Sequence, residues 1–514
     1  MSLLKKLAGE TALYGLSSIL GRLLTFVFLT PFLTNVFNEN RAQMGIHTDI
    51  YAWAAFGMII FTYRMETAFF RFGSKREDRA TAYKTATSLV GTTTAIFVLL
   101  LIALSQPLAN QLGYPEKAHY IVWFAFILGL DALVAIPFAM LRLEGKALKF
   151  AIVKLTNLFV HLGFVLFFLY LLPNYWPQYF DPQMGIGYVF IANLLASAVT
   201  FLLLLPTYWY KIQPHGEKVL DQTNARVRFD PQMLRAMLIY AMPLVLAGFA
   251  GIINEVLDRT LLKIFLEGDS DTVLQQLGVY GSCYKIAIFM NLFTQAFNYA
   301  AEPFFFRNAA KDYARPLYAN IAFLFTLIGS IGFLGIMLFM DIVQFFVASN
   351  YREGLLIVPV LLLANLCLGL YYNLAIWFKL SDKTHYGAII AVIGAGVTII
   401  GNIILIPLMS KMGYPGYLGS AWATLLCYGI MVGLAYLWGQ KHYPIPYPIA
   451  RILLYITIVV LIYLGYDFFI QPYLIPNSLL SYLTSSLLML AYLGVIILLD
   501  GRRIKQIIQQ APTK

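Results

Sequence analysis

The stretch that decides the fold is His119–Leu141, which reads HYIVWFAFILGLDALVAIPFAML and is followed at once by RLEGK, residues 142–146. Asp131 is the only Asp, Glu, Lys or Arg in the apolar run. A run of this length crosses the roughly 30 Å hydrocarbon core of a bilayer as a helix. Basic residues directly after such a run are typical of a cytoplasmic anchor. The pattern therefore predicts a membrane-spanning helix with its carboxyl end inside.

The same pattern recurs along the whole chain of 514 residues. Each further apolar stretch has roughly 20 residues, enough for one crossing. The sequence thus predicts an all-α integral membrane protein with about 14 transmembrane helices. The stretches lie near 12–36, 48–70, 85–108, 119–141, 150–172, 185–209, 234–257, 277–301, 317–342, 355–378, 386–408, 416–438, 452–470 and 478–499.

The distribution of Lys and Arg fixes the orientation of these stretches. With both termini inside, 27 of the 36 basic residues fall in inside-facing segments, six fall outside, and Arg22, Arg64 and Lys285 fall within spans. A missed or extra helix would exchange the two sides from that point onward and remove the bias. The bias therefore predicts a multi-pass protein with both termini cytoplasmic.

Composition excludes several classes of protein. The chain is 60% hydrophobic and 12% charged, about half the charge of a soluble domain. Its net charge of +11 comes from loop anchors that face membrane lipid, so nucleic acid is not an expected partner. The six His residues are scattered without metal-ligand spacing, and no loop has room for a catalytic domain. We expect neither an enzyme nor a bound metal.

An internal repeat organises the first twelve stretches. Three segment pairs match in the same order, at similar offsets: Tyr14–Ser17 with Tyr240–Pro243, Arg142–Ala147 with Lys379–Thr384, and Ala192–Leu195 with Ala423–Leu426. Since each half has six stretches, the halves enter the membrane in the same direction and form parallel repeats. The predicted domains are a six-helix lobe (1–210), a cytoplasmic linker (211–233), a second six-helix lobe (234–440) and an appended helix pair with a tail (441–514).

Two similar bundles around a cleft are typical of a transporter that works by alternating access. The residues that carry a family likeness are Tyr240–Arg259, Lys379–Ala388, Gly401–Pro407 and Gly419–Leu426. They resemble the polysaccharide exporters of the multidrug/oligosaccharidyl-lipid/polysaccharide flippase superfamily. The resemblance implies a flippase that moves undecaprenyl-pyrophosphate-linked oligosaccharide across the bacterial inner membrane, in cell-surface polysaccharide or lipopolysaccharide biosynthesis. Polysaccharide polymerase and glycosyltransferases are the implied partners; no cofactor is implied, and a coupling proton or sodium ion stays open.

Three alternatives remain. The lipid II flippases of the same superfamily usually carry a second basic-acidic cluster soon after the first-helix Arg, whereas Arg22 is followed by LLTFVFL. A cation-coupled multidrug antiporter would favour an acidic, aromatic cavity and twelve helices. A glycan polymerase or ligase would need a long external loop.

Polar residues within the spans form the candidate substrate cleft, because a charge in hydrocarbon must face a cavity or a partner. Arg can grip a phosphate through its planar fork, while Asn and Gln can hydrogen-bond sugar hydroxyls. Arg22, near the middle of its helix, is the strongest candidate. The set is Arg22, Arg64, Glu66, Asp131, Lys154, Asn157, Asn254, Glu255, Lys285, Asn291 and Gln295.

Structural roles compete with binding at several of these positions. Glu255 lies one turn before Arg259, an order that favours a structural ion pair. Glu66 could neutralise Arg22 or Arg64, and Lys154 lies close enough to the inside surface to extend its ammonium group into water. For His161, on the same helix face as Lys154, a packing role is the favoured reading.

Overall fold

The computed structural model describes residues 21, 23–74, 78–209, 229–308, 314–381 and 383–510, and the following statements refer to these residues. They form helices without any β-strand. From the second predicted apolar stretch onward, each coincides with one helix or with a broken helix, and the described end of the first stretch is also helical. The helices are α1 (Thr25–Val36), α2 (Arg41–Phe72), α3 (Arg79–Ala103), α4 (Ala118–Leu143), α5 (Ala147–Tyr175), α6 (Gly187–Tyr208), α7 (Pro231–Phe265), α8 (Ser270–Asn308), α9 (Ala314–Leu338), α10 (Ser349–Leu380), α11 (His385–Lys411), α12 (Gly416–His442), α13 (Ile449–Phe469) and α14 (Leu479–Gln510).

The prediction of an all-α integral membrane protein is confirmed. Twelve of the described helices are long and apolar enough to cross a membrane. Of the two others, α1 belongs to a predicted span whose first residues lie outside the described part of the chain. Helix α8 has 39 residues but interrupts its apolar run with Lys285, Asn291 and Gln295. The count of 14 spans stays a prediction.

Large apolar side chains cover the outer faces of these helices. Leu498 in α14 is 85% exposed and Leu99 in α3 is 67% exposed. In α3, α5 and α14 only 17% of the most apolar window is buried within the protein. Such faces are unstable in water but match a hydrocarbon solvent, which supplies no polar partner. The pattern indicates helices that contact lipid along most of their length.

The described residues divide into two compact units: those up to Thr25 with those of Ile46–Ile252 form unit 1, and those of Phe26–Gly45 with those from Ile253 onward form unit 2. In unit 1, α2, α3, α4 and the first part of α7 share a buried core in which alanines allow close helix packing. This core contains Phe61, Met65, Ala68, Phe69, Ala82, Ala86, Ala132, Ala139, Met237 and Ala241. The core fixes the second half of α2 against α4 and α7.

In unit 2, α11 and α12 pack backbone against backbone. A Cβ atom at Gly419 would lie 2.3 Å from the carbonyl oxygen of Leu405, so only glycine fits there. Ser420 donates a hydrogen bond to Asn402 of the facing helix. These residues belong to the segments that carry the family likeness. The structure shows that their role is to pack two helices together.

Unit 2 also contains the adjoining ends of α1 and α2, which the repeat assigns to the first lobe. Arg41 forms an ion pair of 2.5 Å with Glu353 and donates to the Asn350 carbonyl at 2.8 Å. Tyr351 donates to the carbonyl of Phe37 at 2.8 Å. We call this joint of residues 37–41 with residues 350–353 the outer clasp, because the charge pattern places both segments outside. The predicted domain boundaries remain a prediction based on sequence repeats.

Candidate functional site

Helix α2 breaks at two consecutive residues of unit 1. Tyr63 has a φ of 33° and Arg64 a φ of 57°, in the left-handed region that favours glycine. Two such residues cost roughly 1–3 kcal/mol each, a strain that tends to persist at functional sites. The hydroxyl groups of Tyr63 and Thr93 hold the break by a hydrogen bond of 3.2 Å. The break restarts the helix with Arg64 at its amino-terminal cap.

The guanidinium of Arg64 lies against the backbone of α7. A Cβ atom at Gly248 would stand 2.9 Å from both Nε and Nη2 of Arg64, so the missing side chain makes room for the cation. Glu66 follows in the first turn after the break, and Arg64 and Arg142 are the charged groups that attract its carboxylate. Its Oε2 is buried and has no hydrogen-bond partner among the described residues. Unit 1 therefore holds an incompletely bonded carboxyl group on which two arginines act electrostatically.

A second polar group of unit 1 joins α4, α5 and α6. Ser197 donates a hydrogen bond of 2.9 Å to Asp131, and Lys154 attracts the same carboxylate. The ammonium group of Lys154 lies 4.3 Å from the centre of the Phe138 ring. Asp131 therefore has both a hydroxyl donor and a cation acting on its buried carboxyl group.

Asn157 and His161 lie farther along the same face of α5. Asn157 donates to the hydroxyl of Thr200 at 2.9 Å, which ties α5 to α6. His161 hydrogen-bonds the backbone of Val189, and its buried Nε2 has no hydrogen-bond partner among the described residues. Both side chains thus connect α5 with α6, as the packing role expected for His161 requires.

In unit 2, the expected ion pair of Glu255 with Arg259 is not the arrangement that forms. Arg259 pairs instead with the adjacent carboxylate of Asp258 at 3.3 Å and donates to the backbone carbonyl of Glu255 at 2.8 Å. Tyr280 donates a hydrogen bond to the other oxygen of Asp258. The ring of Tyr284 lies 4.4 Å below the guanidinium. Sequence spacing missed Asp258, which is nearer to Arg259 than Glu255 is, because i and i+1 side chains do not normally face each other on a helix.

This arrangement leaves the Glu255 side chain exposed within an apolar helix. The phenols of Tyr284, Tyr372 and Tyr428 are close enough to interact with its carboxylate electrostatically. Tyr372 is itself 44% exposed. Lys285 of α8 is half-buried and close to the charge of Arg259. A carboxylate and a phenol exposed at this depth need water or a ligand rather than hydrocarbon.

The remaining predicted residues of unit 2 bond within the protein. Asn254 donates to the carbonyl of Ala391 at 3.2 Å, which links α7 to α11, although its buried Oδ1 has no partner among the described residues. Gln295 donates to Asn291 one turn earlier at 3.0 Å. The Asn254 contact holds two helices together, whereas the Gln295 contact lies within α8; a ligand role would require either to exchange its partner.

The structure thus brings Arg64 together with Glu66, and Asp131 together with Lys154. Arg22 lies outside the described residues, and its role stays a prediction. Sequence reasoning missed Arg142, Gly248 and Tyr372. The basic residue Arg142 reads as a loop anchor, and no sequence signal distinguishes Gly248 from the other glycines in spans.

Chemically, the group of Arg64, Glu66 and Arg142 suits an oxyanion. Each guanidinium group presents several N–H donors in a fixed plane, which suits phosphate oxygens. The group around Glu255 combines an acid with aromatic rings, which suits sugar hydroxyls or an organic cation.

No protein-family model matches the sequence, and no curated protein matches it. Solved structures do match. A structure of the lipid II flippase MurJ in an inward closed conformation superposes with a TM-score of 0.67 at 15% identity, covering 94% of this chain and 98% of that one. An inward-facing multidrug resistance MATE family transporter of the MOP superfamily superposes with a TM-score of 0.58 at 13% identity, covering 85% of this chain and 99% of that one. A MOP superfamily transporter from Pyrococcus furiosus superposes with a TM-score of 0.53 at 14% identity, covering 84% of this chain and 95% of that one; it is described as having a binding pocket of reverse polarity. The chain shares the fold of these membrane transporters.

Proposed function

We propose that this protein is a flippase that carries undecaprenyl-pyrophosphate-linked oligosaccharide across the bacterial inner membrane by alternating access. The observation that carries the proposal is Arg64, placed against Gly248 by a strained break in a membrane helix, with Arg142 of α4 acting electrostatically on the same Glu66 carboxylate. A pyrophosphate is the anionic part of such a lipid and fits two guanidinium groups. We propose Arg22 as a further phosphate ligand.

The shared fold supports transport rather than catalysis, because the similar structures are transporters and flippases. The MurJ likeness also supports a lipid-linked substrate. Lipid II carries the same pyrophosphate, so it stays an alternative cargo for this site. We propose that no organic cofactor takes part, that a proton or sodium ion drives the cycle, and that a polymerase and glycosyltransferases act on either side of it.

Exchange of Arg64 for Ala tests this role. Arg64→Ala should lower delivery of lipid-linked glycan to the outer leaflet at least roughly tenfold, since a desolvated phosphate loses a charge-assisted partner. Lys411→Ala removes a positive charge from the predicted outer end of α11 and should transport normally. Protein abundance in the membrane controls for folding.

A double variant separates ligand binding from charge compensation. If Arg64 only neutralised Glu66, Arg64→Ala with Glu66→Ala would restore delivery, because no buried charge would remain unpaired. If Arg64 holds the phosphate, the double variant stays inactive. Full restoration would contradict the proposal.

A second function, the export of organic cations, is favoured by one observation: the exposed Glu255 beside Tyr372 and Tyr428. Aromatic rings and a carboxylate bind quaternary or aromatic cations. Under this alternative, Glu255→Gln should abolish drug resistance conferred by the protein, while Arg64→Ala should leave it intact. The flippase proposal expects the protein to confer no such resistance.

A further inference from the structure

The ends of α9, α13 and α14 meet at one surface of unit 2. Arg451, in the first turn of α13, forms an ion pair with Asp500 of α14. Tyr455, one turn farther, donates to the second oxygen of Asp500 at 2.7 Å. Arg503 of α14 donates to Asn320 of α9 at 3.3 Å. These contacts show that the starts of α9 and α13 and the end of α14 lie at the same level of the membrane.

This surface has more positive than negative charge. Asp500 is 3% exposed, and its two oxygens are taken by Arg451 and Tyr455. It is the only acid in segments 314–325, 441–455 and 496–507, which hold several basic residues: Arg315, Lys441, Arg451, Arg502, Arg503 and Lys505. The carboxylate of Asp500 is thus paired with Arg451. Within the described residues, no carboxylate forms an ion pair with Arg503.

Arg503 is nevertheless held in place. Its guanidinium lies 4.6 Å from the centre of the Phe323 ring, and its hydrogen bond to Asn320 involves only one of its five N–H groups. The positive charge of Arg451 is near enough to act on it electrostatically. A half-buried guanidinium beside a second cation gains stability from an anion that bridges the two.

We propose that Arg503 and Arg451 bind the phosphate group of an anionic phospholipid. A lipid fits better than free phosphate because exposed apolar side chains occupy the neighbouring, deeper turns of α13 and α14. These are Leu453, Leu454, Ile497 and Leu498, which are 57%, 45%, 69% and 85% exposed. The charge pattern of the chain places this surface at the cytoplasmic leaflet, where anionic lipids concentrate.

The site is separate from the proposed transport site and does not depend on the cargo. Ser330 and Tyr492 hydrogen-bond at 2.7 Å, and Ser485 donates to the Leu338 carbonyl at 2.7 Å, so polar contacts join α14 to α9 along its length. A bound lipid at the inner end would add a further link among α9, α13 and α14. We therefore expect the lipid to stabilise the protein.

Lipid titration followed by native mass spectrometry tests the site. The full-length protein in detergent is titrated with phosphatidylglycerol or with phosphatidylcholine of the same acyl chains. The wild type should bind phosphatidylglycerol roughly tenfold more tightly, the effect of one charge-assisted phosphate contact. Arg503→Gln should lose this preference, and Arg503→Lys should keep part of it, since charge remains without the planar fork.

Lys411→Gln removes one positive charge at the predicted outer end of α11, on the opposite side of the membrane from Arg503. It is the matched control and should bind phosphatidylglycerol as the wild type does. Equal phosphatidylglycerol binding by Arg503→Gln and wild type would overturn the proposal. Inorganic phosphate at millimolar concentration should leave the lipid bound. Displacement by phosphate would show a free-phosphate site and overturn the lipid assignment. The melting temperature with added phosphatidylglycerol gives a second measurement, which should rise for wild type and Arg503→Lys but not for Arg503→Gln.

Discussion

At the scale of single residues, the conformation of Arg64 decides where a charge lies. Its left-handed backbone ends one helical segment and begins another, so that the side chain meets the bare backbone at Gly248. Neither Tyr63 nor Arg64 is a residue type that signals a helix break. Pro137, Pro243 and Pro407, which are such residues, lie inside continuous helices. Arg64 and Glu66 could be predicted from their cost in a membrane, but Arg142 and the contact with Gly248 could not.

Gly248→Ala is expected to impair transport without unfolding the protein. The added methyl group would come within 2.9 Å of the Arg64 guanidinium, the flexible end of a side chain, so the arginine moves and the fold adjusts cheaply. A misplaced ligand group should reduce delivery about tenfold. The measurement is outer-leaflet glycan delivery, compared with the melting temperature.

Gly251→Ala is the matched control, because a Cβ atom at Gly251 in the same helix meets nothing within 4 Å. It should transport normally. Equal activity of both variants would show that Arg64 need not lie against Gly248.

At the scale of helices, long apolar runs predicted the elements well, since hydrocarbon demands complete backbone hydrogen bonding. What the pattern could not show is which glycines are contact points. Gly419 and Gly429 occupy the same helix, yet only Gly419 faces the backbone of Leu405. Contacts between helices depend on the rotation of each helix about its axis. A helix that is apolar on every face gives no sequence signal for that rotation.

Gly419→Ala should destabilise unit 2 by about 1–3 kcal/mol, because a methyl group would overlap a backbone carbonyl that cannot move aside. Gly429→Ala, at a position with no neighbour within 4 Å, should be neutral or slightly stabilising. Thermal unfolding in detergent measures both. A melting temperature unchanged in Gly419→Ala would show that α11 and α12 are not in this close contact.

At the scale of the whole molecule, the charge distribution gives a topology that side-specific labelling can test. Single cysteines at Asn174 and at Arg502, both exposed, replace residues on opposite sides of the predicted membrane. A membrane-impermeant thiol reagent added to intact cells should label position 174 and not position 502. The reverse pattern would invert the orientation.

The outer clasp gives alternating access a testable form. Asn350 donates to the Asn38 carbonyl at 3.0 Å, and we expect this contact to open if residues 37–41 move with the first lobe of the repeat. Asn38→Cys with Asn350→Cys should block transport under oxidising conditions and recover with a reductant. Each single cysteine is the control, and transport by the cross-linked protein would show that the clasp stays closed throughout the cycle.

The central claim is that the protein moves a lipid by recognising its pyrophosphate, and reconstituted vesicles test it most directly. Purified protein in proteoliposomes receives the same glycan on a polyprenyl pyrophosphate or on a polyprenyl monophosphate. We expect translocation of the pyrophosphate lipid by the wild type, with at least roughly tenfold preference over the monophosphate, and loss of this preference in Arg64→Ala. Equal transport of both lipids by the wild type, or an unchanged preference in Arg64→Ala, would contradict the claim.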